Sequence, residues 1–288
     1  MSYDLTHIIN LKQLKALGAK VKTNLDTLFS RTGILTYDNA GSHNAFFRGK
    51  NLGSSITTSI ASAISAGTFV DIYPGDYFTF SNVAYSYVDE NGATQSATYS
   101  GTMRIMDLDY FLRCGNTDLT THHVVAAPDA PMFTAGMNDT NTTVGGYVGS
   151  KMRTVHLKRA EAIFKACFGT SHILSHREFL VNTVTNGRPS DGAWCDSLVE
   201  LMDERMVYGS LIYDSGNPDG TNVPNRYSVN NSQLNAFRHM KYLISNRQYN
   251  WLRNVVSAAR FSIVFSGGAS GSDNASNARG IRPYALIY

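Results

Sequence analysis

"NARGIRPYALIY" (Asn277–Tyr288) closes the chain, and its reading decides the fold. A polar, fraying tail is the ordinary expectation for a C-terminal segment. Here Ile281, Pro283, Tyr284, Leu286, Ile287 and Tyr288 make the segment apolar and aromatic. Such text predicts a strand whose side chains enter the core, with "FSIVF" (261–265) as an earlier strand and "SGGASGSDNASNARG" (266–280) as a polar loop between them.

Composition narrows the class. Of 288 residues 43% are hydrophobic, enough for a large core, while only 16% are charged, below the usual quarter. Ser, Thr and Asn fill the gap, with 16 Tyr, 14 Phe and 24 Gly. This suits a β-rich, loop-rich molecule with adhesive surfaces, and the aromatic content excludes a disordered chain. The formal charge is +3 and no Lys/Arg run exceeds two residues, so neither nucleic acid nor an anionic membrane is the expected partner. Cys114, Cys167 and Cys195 are odd in number and without a CxxC, which predicts reduced thiols and synthesis in a reducing cytoplasm. "MSYDLTHIIN" has no signal-peptide pattern, and no apolar run reaches the roughly 18 residues of a membrane span.

Residues 1–32 read as a helix. Leu11, Leu14, Val21, Leu25 and Leu28 occupy a and d positions of a heptad pattern, with Gly18 at the intervening a position. A seam this narrow is marginal alone and predicts association with further copies, three in the expected assembly. Residues 33–45 read as a linker, and 46–288 as one α+β domain. Within it, "GTFVDIYPGDYFTF" (67–80) reads as strand around a Pro74-Gly75 turn. Residues 83–112 read as a hairpin turning at Asn91-Gly92, and "HHVVAAPD" (122–129) as a strand. Helices are predicted over 149–169, capped by Ser150 and stopped by Gly169, over 190–209 with Trp194, Leu198, Leu201, Met202 and Met206 on one face, and over 231–240.

The order Trp251-Leu252-Arg253, a loop, then Gly280-Ile281-Arg282-Pro283 resembles the C-terminal half of a C-type-lectin-like domain, in the version found in the formylglycine-generating-enzyme (sulfatase-modifying-factor) superfamily. Residues 46–288 as a whole resemble a domain of unassigned function in phages of Gram-positive bacteria. The stretches that carry this likeness are "FFRGKNLGSSIT" followed by "GTFVDIYPGDYFTF", with "THHVVAAPD", "NTTVGGYVGSKM", "SHILSHREFLVNTV" and "LMDERMVYG". The resemblance implies a mixed, mostly antiparallel fold that brings its ends into one sheet. It further implies a structural protein on the virion surface: a head fibre, head decoration or tail adhesin, attached to capsid or tail proteins and binding a host-surface glycan or protein. The alternatives are a head cement protein without a ligand and an enzyme on the formylglycine-generating-enzyme-like fold.

The chemistry-bearing motifs argue against catalysis. The segment 246–288 has no cysteine, so the cysteine pair of formylglycine-generating enzymes has no counterpart. Asn217-Pro218-Asp219 lacks the later Trp-Asn-Asp of calcium-dependent lectins, and reads as a turn. His172 and His176, spaced as on one helix face, with His122 and His123, lack the Glu of a zinc-protease motif, and read as core or surface residues. "GGYVGS" (145–150) lacks the P-loop Lys and reads as a tight turn. No cofactor and no metal are expected. Trp251, Arg253, Gly280, Arg282 and Pro283 are expected to organise the fold, the arginines on carboxylates or carbonyls. The candidate binding residues are Tyr249, Asn250, Asn254, Ser257, Arg260 and Ser262, with Ser270, Ser272, Asp273, Asn274 and Asn277 of the closing loop. Tyr, Ser, Asn and Gly are the residue types that adaptable binding surfaces use.

Overall fold

Asn91-Gly92 does turn a hairpin. Gly92 takes φ 80°, and Asp89 Oδ1 accepts the backbone N–H groups of Asn91 and Ala93 at 2.9 Å, closing a loop between β1 (Tyr77–Val88) and β2 (Thr94–Leu108). The computed structural model describes residues 11–32, 38–213 and 232–288, with side chains of the first stretch described only for 14–24. Asn217-Pro218-Asp219 and residues 1–10 lie outside this range.

The chain divides into two units, Met1–Asp38 and Asn39–Tyr288. In the first, α1 runs from Leu11 to Thr32. Leu14 and Val21 are 55% and 49% exposed, Leu17 beside them is 52% exposed, and Gly18 has no neighbouring atom within 4 Å of a notional Cβ. Of the seam residues, Leu11, Leu25 and Leu28 have side chains outside the described set.

The second unit is mixed α+β, with mostly antiparallel sheets and few helices. Residues 39–45, read above as linker, belong to it. Asn39 caps α2 (Ala40–His43) by accepting from Ser42 N, His43 is buried, and Asn44 Nδ2 donates to Leu108 O at 2.9 Å. After α3 (Thr58–Ser65), "GTFVDIYPGD" is turn rather than strand. Its cause is local: Phe69, Asp71 and Gly75 take positive φ, and buried Asp76 accepts from Arg48, Lys50 N and Tyr73 N.

Further along lie β3 (Val124–Pro128) and β4 (Phe133–Ala135), then a π-helical turn (Met152–His156) leading into α4 (Leu157–Phe168). Ser150 Oγ accepts from Arg153 N and Gly169 ends α4 with φ 89°, both in the expected roles. "GGYVGS" is a tight turn that drives Tyr147 into the core; a Cβ on Gly146, at φ 61°, would meet Val181 O at 2.4 Å.

The predicted helix over 190–209 is mostly strand. After β5 (Ile173–Leu174) and β6 (His176–Thr185), the region is occupied by β7 (Arg188–Ser197) and β8 (Val199–Leu201), and only Glu204–Tyr208 is helical, as α5. The deciding pair is Asn186-Gly187, whose φ values of 52° and 75° are what a two-residue hairpin turn of type I′ needs. It sets Phe179 opposite Trp194, with ring centroids 5.5 Å apart in an edge-to-face pair. The 3.6-residue spacing of Trp194 through Met206 therefore spans two strands and a helix.

The remaining elements are α6 (Asn235–His239), β9 (Asn250–Ser257), β10 (Arg260–Val264), β11 (Ser270–Asn274), β12 (Arg279–Ile281) and β13 (Pro283–Ile287). One sheet has the order β1-β2-β3-β13-β5, with β8 also on β13; a second has β11-β10-β9-β12-β4. β13 is thus flanked on both edges, by β3 and by β8 and β5. Its alternate residues feed two cores: Ala285 and Ile287 join Trp251, Phe164 and Phe78, while Tyr284 and Leu286 join Phe111, Phe237 and Leu252. Leu286 and Ile287 withdrawn from water each contribute about 1.5–3 kcal/mol before entropy is counted, so β13 ties both cores together.

Candidate recognition surface

The C-terminal segment contains two arginine clusters. In the interior one, Arg253 on β9 donates to Glu178 Oε2 at 2.6 Å and lies 3.7 Å from Asp203. Glu178 Oε1 accepts from Tyr284 Oη at 2.5 Å and sits 2.9 Å from His176 Nε2. Burial opposes ionisation of Glu178, but the Arg253 charge, followed by His176 and Tyr284, holds its carboxyl well below the usual range. Nearby Glu200 accepts from Tyr147, Ser197 and Arg153; there burial wins and the carboxyl is raised. The cavity beside Arg253 is about 20 Å³, room for about one water.

Arg282 is also interior, donating to Pro128 O at 2.7 Å and Leu243 O at 2.9 Å; burial lowers it to about 10. Trp251 Nε1 donates to Ala135 O at 2.9 Å. Gly280 pairs with Thr134 across β12 and β4, and Pro283 with Leu201 across β13 and β8. A Cβ on Gly280 would lie 2.6 Å from Pro131, so the strands meet there only without a side chain.

The second cluster lies at the rim of the β11-β10-β9-β12-β4 sheet. Asp273 on β11 accepts from Arg279 Nε at 2.5 Å, Asn277 Nδ2 at 2.7 Å and Asn274 N at 2.8 Å. Partial burial raises its carboxyl, but these donors outweigh it and leave Asp273 below its ordinary value. The Arg279 guanidinium stacks on Tyr249 at 4.9 Å, and Tyr249 meets Phe265 edge-on at 5.4 Å. Tyr249 and Phe265 are 40% and 37% exposed, so a cation and two aromatic rings stand at the surface, fixed by their neighbours.

Of the residues read as candidate binders, Tyr249, Asp273, Asn274 and Asn277 fall on this rim, and exposed Arg260 joins it through Asn274 Oδ1 at 3.2 Å. Ser272 is half-buried on β11, which replaces the predicted loop with an edge strand paired to β10. Three candidates are interior. Asn250 donates to Asn246 Oδ1, Asn254 Oδ1 accepts from Glu204 N, and Ser262 Oγ donates to Glu204 Oε1 at 2.7 Å. Ser270 reaches the same Glu204 at 3.4 Å, and Ser257 Oγ accepts from Ala259 N. The reason is that β9 and β10 are inner strands of their sheet, so polar residues there serve buried partners. Arg279 and Phe265 were missed; an arginine and an aromatic residue flanking a Ser/Asn-rich stretch were the available signal.

Among the described residues no group of three or more His, Cys, Asp or Glu is placed to hold a metal ion. His122 pairs with Asp109 at 2.7 Å, His123 is buried and lowered to about 4 by desolvation, His172 Nδ1 contacts Tyr288 O, and His176 serves Glu178. Far from sharing a helix face, His172 closes a 3₁₀ turn and His176 opens β6. Cys114, Cys167 and Cys195 are free thiols, with burial pushing Cys167 up to about 12. No protein-family model, curated protein or solved structure matches the chain.

Proposed function

We propose that this chain is a structural protein on the exterior of a tailed-phage virion, with the body a C-type-lectin-like domain that binds the host surface. Copies associate through α1, as a homotrimer, and attach to capsid or tail proteins. The carrying observation is the row of exposed Leu14, Leu17 and Val21 on a helix with heptad spacing, an apolar seam that the helix cannot cover itself. The lectin-like assignment is supported by β1 and β13, first and last strands of the body, lying in one sheet, and by Trp251, Gly280 and Arg282 organising the second sheet and its junction.

Mass spectrometry of purified particles tests the location: the protein is expected at fixed stoichiometry, and absence from particles overturns the reading. Light scattering tests the assembly. A trimer is expected for the native chain, and Leu14→Lys with Val21→Lys is expected to give a monomer with an intact body. Binding to intact host cells separates an adhesin from a cement protein, which shows none.

A further inference from the structure

Arg159 on α4 differs from the other arginines described. Its guanidinium lies against two rings, 4.9 Å from the centroid of Tyr87 on β1 and 4.6 Å from that of Phe133 on β4. Nε donates to Tyr85 Oη at 3.0 Å. Among the described residues this is the one hydrogen bond that Arg159 makes, through Nε, and no carboxylate pairs with it. Two rings and the Tyr85 hydroxyl therefore hold the guanidinium, while its Nη1/Nη2 edge, the edge that grips carboxylate or phosphate bidentately, stays unused.

Arg159 lines a cavity of about 190 Å³ between β1, β4 and the π-helical turn. Its size suits one sugar ring rather than a drug-sized ligand, for which about 300–1,000 Å³ is usual. The π-helical turn brings Val155 and His156 to the wall; burial, then Lys151, lowers His156 against the opposing pull of Glu90 and Asp139, and its ring nitrogens can exchange hydrogen bonds with hydroxyls. Thr134 adds a hydroxyl from β4. Two acids also border the cavity, and both are occupied: Asp89 accepts from Asn91, Ala93 and Gln95, and Glu90 pairs with Lys151.

We propose that this cavity binds one acidic sugar unit, with its carboxylate or phosphate on the Arg159 edge and its hydroxyls on His156 and Thr134. The proposal deepens the host-binding reading above and rests on it for the saccharide, while the anion preference rests on Arg159.

The test is calorimetric titration of the full chain with glucuronic acid, glucose 6-phosphate, glucose, acetate and inorganic phosphate. One or both acidic sugars are expected to bind at least about tenfold more tightly than glucose, and more tightly than acetate or phosphate. The carboxylate and phosphate arms identify which anion is preferred. Arg159→Gln is expected to lose at least about tenfold in affinity, and Arg159→Lys, which keeps the charge without the fork, to lose less. Equal binding of glucose, no binding of either acidic sugar, or undiminished binding by Arg159→Gln overturns the site. Acetate or phosphate binding as tightly as the sugars overturns the saccharide assignment. Should Arg159→Gln fail to fold, Arg159→Lys with native binding of the acidic sugar overturns the fork. A chain found in virions that binds none of these probes sinks this site and leaves the proposed location standing.

Discussion

Arg253 and Arg279 lie in the same C-terminal segment, each facing a carboxylate and each beside a tyrosine, yet they do different work. The Arg253–Glu178 pair is interior and its acid is further engaged by His176 and Tyr284. The Arg279–Asp273 pair has side chains 33% and 18% exposed and stands at a sheet rim. Taking two charges out of water is costly, so the interior pair holds only with every lone pair engaged, and loss of one member strands the other. At the rim, water takes over when a partner is removed. One ion-pair chemistry thus locks the fold in one place and leaves a surface open to change in the other.

The largest expected effect is at Glu178. Glu178→Ala leaves Arg253 buried and is expected to cost about 3–5 kcal/mol in urea denaturation; a loss below about 1 kcal/mol would break the contrast. Asp107 sharpens it by showing a buried carboxylate without a cation. Among the described residues its donors are Asn44, Asn235 and the Leu108 backbone N–H, none of them a cation, and burial raises it to about 7. A folded value above the unfolded 3.8 means that this group's contribution falls as pH rises from about 4 to about 7, on the order of 2–4 kcal/mol. The depressed Glu178 runs the other way, its contribution present above the unfolded 4.5 and lost as pH falls. Asp107→Asn is therefore expected to remove the loss between pH 4 and 7, read as the difference between native and variant stability curves; parallel curves would refute it.

Asn254→Ala should cost about 1–3 kcal/mol, because Glu204 N loses its buried acceptor. The smallest effect belongs to the rim: Asp273→Asn is expected to change stability by less than about 1 kcal/mol in the same denaturation experiment. A loss as large as that of Glu178→Ala would show the rim to be structural, like the interior.

The sequence made some of this legible. Residues 281–287 announced a buried strand because every residue but Arg282 is apolar or aromatic, and Asn91-Gly92 marked its hairpin by turn chemistry. Asn186-Gly187 carries the same signal and lay unused beneath a chance helical spacing of Trp194, Leu198 and Leu201. The rim was half readable: Tyr249 and Asp273 have surface composition, but Asn250, Asn254 and Ser262 share it and are buried. Composition cannot distinguish an Asn that meets water from one that meets a buried amide; sheet order decides, and that depends on pairings between distant residues. Glu178 and Tyr284 met Arg253 for the same reason, through strands far apart in the chain.

β13 carries a kinetic consequence. Its neighbours β3, β5 and β8 all emerge from the ribosome before it, so during synthesis they wait with an unfilled slot between them. Both apolar clusters lack members until Pro283–Ile287 arrives, and pairing strands over so long a stretch of polypeptide is slow. Completion of the body is thereby coupled to completion of this strand, and a nascent chain halted before it would present two open clusters to the cell's proteases.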